Sequence, residues 1–134
     1  MISLDTSAIV ALAMKEPESE IFDTLIAKNR TVIGTPTLLE ARIVLSGLIP
    51  TFAEDFLDIL ILRTTVQPVA FTLEMYRFAS DAFLRYGRGR GHPARLNFGD
   101  CQSYAVSKVH TAPLLFKGND FVHTDLVPAY LAAP

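Results

Sequence analysis

Cysteine is almost missing from this chain. Cys101 stands alone, so no internal disulfide can staple the fold, and a solitary thiol fits a reducing compartment and a small buried core position. Histidine is nearly as scarce. His92, His110 and His123 are not spaced as a ligand pair, which removes a zinc centre from consideration. No apolar run approaches the roughly 20 residues of a membrane span, and the longest candidate, Phe56 to Leu62, is interrupted by Asp58. No cationic leader with an apolar core precedes the first elements, so a cytoplasmic location with no membrane attachment is expected. An excess of positive charge is missing too. The formal net charge is −2, and any affinity for phosphate must come from a local patch rather than from the whole surface.

What the chain does have is apolar content. Half of its 134 residues are hydrophobic, enough for one compact domain spanning 1–134 and too few residues for a second. Short β-like runs alternate with helical patterns and there is no internal repeat, which predicts an α/β fold around a mostly parallel sheet. Strands are expected at Met1 to Leu4, Thr31 to Gly34, Thr65 to Val69 and Leu114 to Phe116, with a last edge strand over Val122 to Val127. Pro68 argues against an interior position for the third of these. Helices are expected from Asp5-Thr6-Ser7 to Lys15, and over Glu18 to Ala27. Another should start at a Thr35 cap with Pro36 in its first turn, and another at Thr51, whose spacing to Glu54 is that of a capping box. Further helices run from Thr72 toward Tyr86 and from Asp100 to His110.

Four acids occupy strand or helix ends in this scheme: Asp5, Glu40, Asp100 and Asp120. Strand ends are where open α/β sheets collect functional groups, so acids far apart in sequence can meet in one crevice. Each also has a structural role open to it. Asp5 can start a helix, Glu40 can close a capping box with Thr37, Asp100 can complement a helix dipole, and Asp120 can serve a turn. A cluster of carboxylates repels itself, by about 4 kcal/mol for a pair 4 Å apart at an effective dielectric near 20, unless a cation neutralises it. Hard oxygen donors select Mg2+ or Mn2+, and such a centre hydrolyses phosphodiesters without a protein nucleophile. Arg85, Arg88, Arg90 and Arg95 lie in an acid-free, Gly-rich stretch shortly before Asp100, a suitable place to hold phosphates.

Four segments together resemble the PIN-domain family, and within it the VapC-type toxins of toxin–antitoxin modules. They are Met1-Ile2-Ser3-Leu4-Asp5-Thr6-Ser7-Ala8-Ile9, Pro36-Thr37-Leu38-Leu39-Glu40-Ala41, Leu96-Asn97-Phe98-Gly99-Asp100-Cys101 with Tyr104-Ala105, and Leu114-Leu115-Phe116-Lys117-Gly118-Asn119-Asp120-Phe121. The resemblance implies an α/β/α sandwich, a Mg2+- or Mn2+-dependent endoribonuclease acting on RNA, a homodimer, and a VapB-type antitoxin that blocks the site. By position it makes Asp5 and Asp100 the principal metal ligands, with Glu40 and Asp120 completing the acidic pocket. Thr6 or Ser7 would orient Asp5 or a water, and Asn119 would support the rim; the basic loop fits this, with Arg88, Arg90 and Arg95 placed to hold RNA or, equally, the antitoxin. Asp125 is an additional acid able to share the role of Asp120, and Arg42 is close enough to Glu40 to pair with an acid of the pocket.

Three rivals compete with this expectation. A catalytically inactive scaffold binding RNA or antitoxin would have no need to retain four mutually repulsive acids. A receiver-like signalling module expects an acid pair at the first strand end, which is absent. A phosphatase using Asp5 as nucleophile expects a second Asp where Ser7 stands.

Overall fold

The computed structural model describes residues 1–132. Four parallel strands form the centre: β1 (Ile2–Leu4), β2 (Thr31–Gly34), β3 (Val66–Val69) and β4 (Leu114–Leu115), in the order β3-β2-β1-β4. Six helices surround them: α1 (Thr6–Ala13), α2 (Ser19–Lys28), α3 (Thr35–Leu48), α4 (Ala53–Leu62), α5 (Leu73–Tyr86) and α6 (Phe98–His110). Among the described residues, no helix is long and apolar enough to cross a membrane.

Alternation along the strands separates the core into two faces. Ile2, Leu4, Ile33 and Leu115 pack into a cluster with Ala8, Ile9, Phe22, Ile26, Ala41, Leu45 and Leu57 from α1 to α4. Their strand neighbours Val32 and Leu114 belong instead to clusters built with α5 and α6, around Met75, Tyr86, Tyr104 and Val106. Successive side chains of a strand point to opposite faces, so a sheet buried on both sides reads as an unbroken apolar run and still feeds two cores. The result is the expected α/β/α arrangement. Pro68 sits opposite Ile33 on β3, an edge strand paired only to β2, where its missing N–H costs no ladder bond.

The strand order places a topological switch at the centre. From β1 the chain steps outward to β2 and β3, then crosses back so that β4 lies on the other side of β1. Crevices open outside the carboxyl ends of strands at such a switch. Helix α6 runs back against β4, so its N-terminus lies at the same sheet edge.

Several expected details are corrected. The tail over Val122 to Val127 is not a strand: residues 120–125 turn and bend, and among the described residues the tail pairs with the sheet through an isolated bridge between Leu114 and Pro128. Phe121 is drawn in against Phe116, and Thr124 bonds back to its carbonyl through both its amide and its hydroxyl, which curls the segment. Gly34, not Thr35, is the N-cap of α3. The Thr51 to Glu54 capping box does not form; α4 begins at Ala53 after an uncapped Phe52. Helix α6 starts before Asp100, because Asn97 caps it.

Ser3 is fully buried at the middle of β1, and its hydroxyl has no hydrogen-bond partner among the described residues. An unpaired buried hydroxyl costs about 1–3 kcal/mol. Ser3→Ala is therefore expected to raise the unfolding free energy by about 1 kcal/mol in a urea titration; a loss of stability would mean that the hydroxyl is bonded in solution.

Candidate active site

Asp5 leaves β1 at the switch and becomes the N-cap of α1. Its Oδ2 accepts from the Ser7 amide at 3.0 Å and from the Ser7 hydroxyl at 2.6 Å. Ser7 Oγ in turn accepts from the Lys117 amide at 3.0 Å, which fastens the end of β1 to the loop after β4. That loop carries Asn119 and Asp120, both exposed, directly after Gly118 at φ 98°. Thr6, buried beside Asp5, donates its hydroxyl to Glu40 Oε1 on the second turn of α3. Thr6 thus orients Glu40, while Ser7 is the residue that orients Asp5.

Asp100 is the third residue of α6 and half of a reciprocal capping box. Asn97 Oδ1 accepts from the Asp100 amide at 2.8 Å, and Asp100 Oδ2 accepts from the Asn97 amide at 3.0 Å. The helix-end roles open to Asp5 and Asp100 are therefore real, and they coexist with membership of the cluster. In both residues the local bonds fall on Oδ2. Among the described residues Oδ1 of each accepts no hydrogen bond and remains available to a cation.

Burial pushes the Asp100 carboxyl up from 3.8 to about 7, the Asn97 amide pulling it partly back, and the charges of Asp5, Asp120 and Glu40 push it up further. All four acids thus converge, from four different segments of the chain. Glu40 reaches its place because residue 99 is glycine: a Cβ there would lie 2.0 Å from Glu40 Oε2. The carboxylate fills space that any other residue would occupy.

Asp125 is not part of this group. Its Oδ1 accepts from the Tyr104 hydroxyl at 2.7 Å and its Oδ2 from Lys108 Nζ at 2.8 Å, with Arg85 3.8 Å away. Burial works against its charge, but the Lys108 and Tyr104 hydrogen bonds outweigh it and hold Asp125 below the usual carboxylate range. Arg42 also turns away, bonding Ser46 at 2.6 Å and lying 4.0 Å from Glu54. Cys101 packs into the buried cluster with Tyr86, Leu96 and Tyr104, and burial, followed by the charge of Asp100, raises its thiol to about 11.

Arg88, Arg90 and Arg95 are exposed on the loop between α5 and α6. The loop is closed at its base: Leu96 donates to the Tyr86 carbonyl at 2.8 Å and Arg88 donates to the Leu96 carbonyl at 2.9 Å. Gly89 and Gly91 take φ of 84° and 77°, which only glycine adopts freely.

The donor set suits a hard divalent cation. Among the described residues no three Asp, Glu, His or Cys side chains stand close enough to hold a metal ion by themselves, so a cation here would have to complete its shell with water or substrate oxygens. Mg2+ needs only one or two direct carboxylates and keeps several waters, and the two unbonded Oδ1 atoms match that demand.

A parallel sheet in this order, with acids gathered at its central switch, defines an α/β protein with an acidic crevice at the carboxyl ends of its strands. The PIN domain family model matches residues 2–126, and the chain belongs to that family. It is 38% identical over 129 residues to VapC ribonuclease Mb0640 of Mycobacterium bovis, covering 96% of this chain and 98% of that protein. It is 36% identical over 127 residues to ribonuclease VapC42 of Mycobacterium tuberculosis, covering 94% and 97%. Among solved structures, Mycobacterium tuberculosis VapC20, a Sarcin-Ricin loop cleaving toxin, superposes with a TM-score of 0.75 at 21% identity over 95% of this chain and 97% of that one. Rickettsia felis VapBC2, bound to a promoter DNA fragment, gives 0.74 at 18% over 96% and 97%.

The raised carboxyl sets a stability signature. Folded Asp100 holds its proton to about pH 7 and the unfolded chain releases it near 4, so stability falls as pH rises between these values, by at most about 1.4 kcal/mol for each pH unit crossed. In chelator, Asp100→Asn is expected to melt higher than the parent at pH 8 and to match it at about pH 4. Equal melting at both would remove the buried charge from the cluster. Gly99→Ala is expected to fold normally, because the displaced Glu40 end is flexible, yet to bind Mn2+ about 10–100-fold more weakly in a calorimetric titration; unchanged affinity would exclude Glu40 from the site.

Proposed function

We propose that this protein is an endoribonuclease that hydrolyses RNA phosphodiester bonds using Mg2+ or Mn2+, and that it is the toxin of a toxin–antitoxin pair. The convergence of Asp5, Glu40, Asp100 and Asp120 at the central switch of the sheet carries this reading. The relatives named VapC ribonuclease, matched over almost their entire length, support the ribonuclease class.

Asp5 and Asp100 are the proposed metal ligands, through the oxygens that their local bonds leave open. Glu40 and Asp120 complete the negative pocket, and Asn119 shapes its outer rim. When bound, the divalent ion supplies activation of a water and neutralisation of charge at the phosphate. The protein's part is preorganisation. Ser7 holds Asp5, Thr6 holds Glu40 and the Asn97 amide holds Asp100, so three carboxylates are fixed before substrate arrives. Arg88, Arg90 and Arg95 offer exposed positive charge beside α6 for the phosphates flanking the cut. A VapB-type antitoxin and a second copy of the chain are the proposed protein partners, on the strength of the resemblance to VapC-type toxins.

The direct test is cleavage of a cellular RNA pool by purified, antitoxin-free protein in Mg2+ or Mn2+. Cuts are expected with metal and none in chelator. Outer-sphere partners of metal ligands alone cost about 10–100-fold, so Asp100→Asn, which removes a direct ligand charge, is expected to lose more than that. Cutting by Asp100→Asn at the parent rate, or cutting in chelator, would overturn the assignment.

A further inference from the structure

Next to the acids lies an aromatic cavity that the carboxylate chemistry does not use. Its volume is about 420 Å3, and its walls come from Phe71 ahead of α5, Tyr76 and Phe83 on α5, Arg88 on the basic loop, and Phe98 and Gln102 on α6. Phe98 is 81% exposed, Tyr76 57% and Phe83 47%, so these rings contribute little to the core and leave apolar faces in water. Apolar surface gathered in one concavity marks a binding place.

Continuity and charge identify the occupant. Asn97, which caps Asp100, also lines the cavity, and Phe98 precedes Asp100 by two residues. The arginine-bearing loop forms its rim: Arg88 lines it and the Arg90 guanidinium lies 5.7 Å from the centre of the Phe83 ring. Among the described residues no carboxylate lines the cavity. Ring faces for stacking, with guanidinium groups beside them for phosphate, are the chemistry that recognises unpaired nucleotides. A cavity of about 420 Å3 has room for a planar base.

We infer that this cavity receives one unstacked nucleobase of the RNA substrate, adjacent to the phosphate cut at the acid cluster. Phe98, Tyr76 and Phe83 stack on the base, and the Gln102 amide presents a donor and an acceptor to its edge, so the cavity sets the cleavage preference. The inference rests on the ribonuclease reading.

Two measurements separate the inference from that reading. In the first, cut sites are sequenced from a randomised single-stranded RNA for the parent, Phe98→Ala and Gln102→Ala. Phe98→Ala is expected to raise KM about tenfold, the loss of one stacking partner, and Gln102→Ala to flatten the base preference at one position beside the cut. In the second, single-stranded oligonucleotides carrying 5-iodouracil are irradiated with Asp100→Asn protein, and crosslinks are expected on Tyr76, Phe83 or Phe98. Cleavage with unchanged KM and preference in both variants, and crosslinks elsewhere, would overturn the base site and leave the nuclease standing. Crosslinks in the cavity with no cutting of any RNA by the parent would overturn the ribonuclease reading, and the role in cleavage preference with it, and leave only a nucleotide-binding cavity. A shift of the monomer–dimer equilibrium in Phe98→Ala, seen by sedimentation with preference unchanged, would assign the cavity to a second copy and overturn the inference.

Discussion

Mutual repulsion among carboxylates is the constraint around which this molecule is arranged. Four acids share the carboxyl edge of the sheet, and Asp100 is buried deeply enough there to keep its proton near neutral pH. Among the described residues no cationic side chain pairs with them: Arg42 pairs toward Glu54 and Ser46, and Lys117 pairs with Glu16 and Glu18 between α1 and α2. The fold holds an unfavourable charge distribution in place, and a site that is self-repulsive alone is one that a divalent cation stabilises.

Holding those acids requires ties between segments that have no other reason to meet. The Ser7 hydroxyl bonds both Asp5 and the Lys117 amide, so one side chain couples the end of β1 to the loop that carries Asp120. The Thr6 hydroxyl reaches Glu40, and the absent side chain at Gly99 makes room for that carboxylate beside α6. The capping box of Asn97 and Asp100 makes the start of α6 and the placement of Asp100 a single event. Site geometry and secondary structure are secured by the same bonds.

A second network keeps the tail in order. Asp125, held by Tyr104 and Lys108, and Phe121, packed against Phe116, pin the segment after Asp120 onto α6 and the end of β4. This explains why two nearby acids have separate roles: Asp120 stays exposed at the edge of the cluster while Asp125 is spent on anchoring.

By itself the sequence determined the element order, the parallel sheet, the edge position of the strand containing Pro68, and the candidate acids, because these follow from local periodicity, from the missing N–H of proline and from the residues at element ends. It left open whether Asp5 and Asp100 cap helices or gather in a cluster, and the structure shows both. Tertiary structure alone decided what depends on long-range approach. It gave Glu40 its space over Gly99, joined Ser7 to Lys117 across 110 positions of chain, curled the tail that reads locally as a strand, and separated Asp125 from Asp120. Such contacts are set by how packed helices and loops meet at a sheet edge, and no local pattern encodes that meeting.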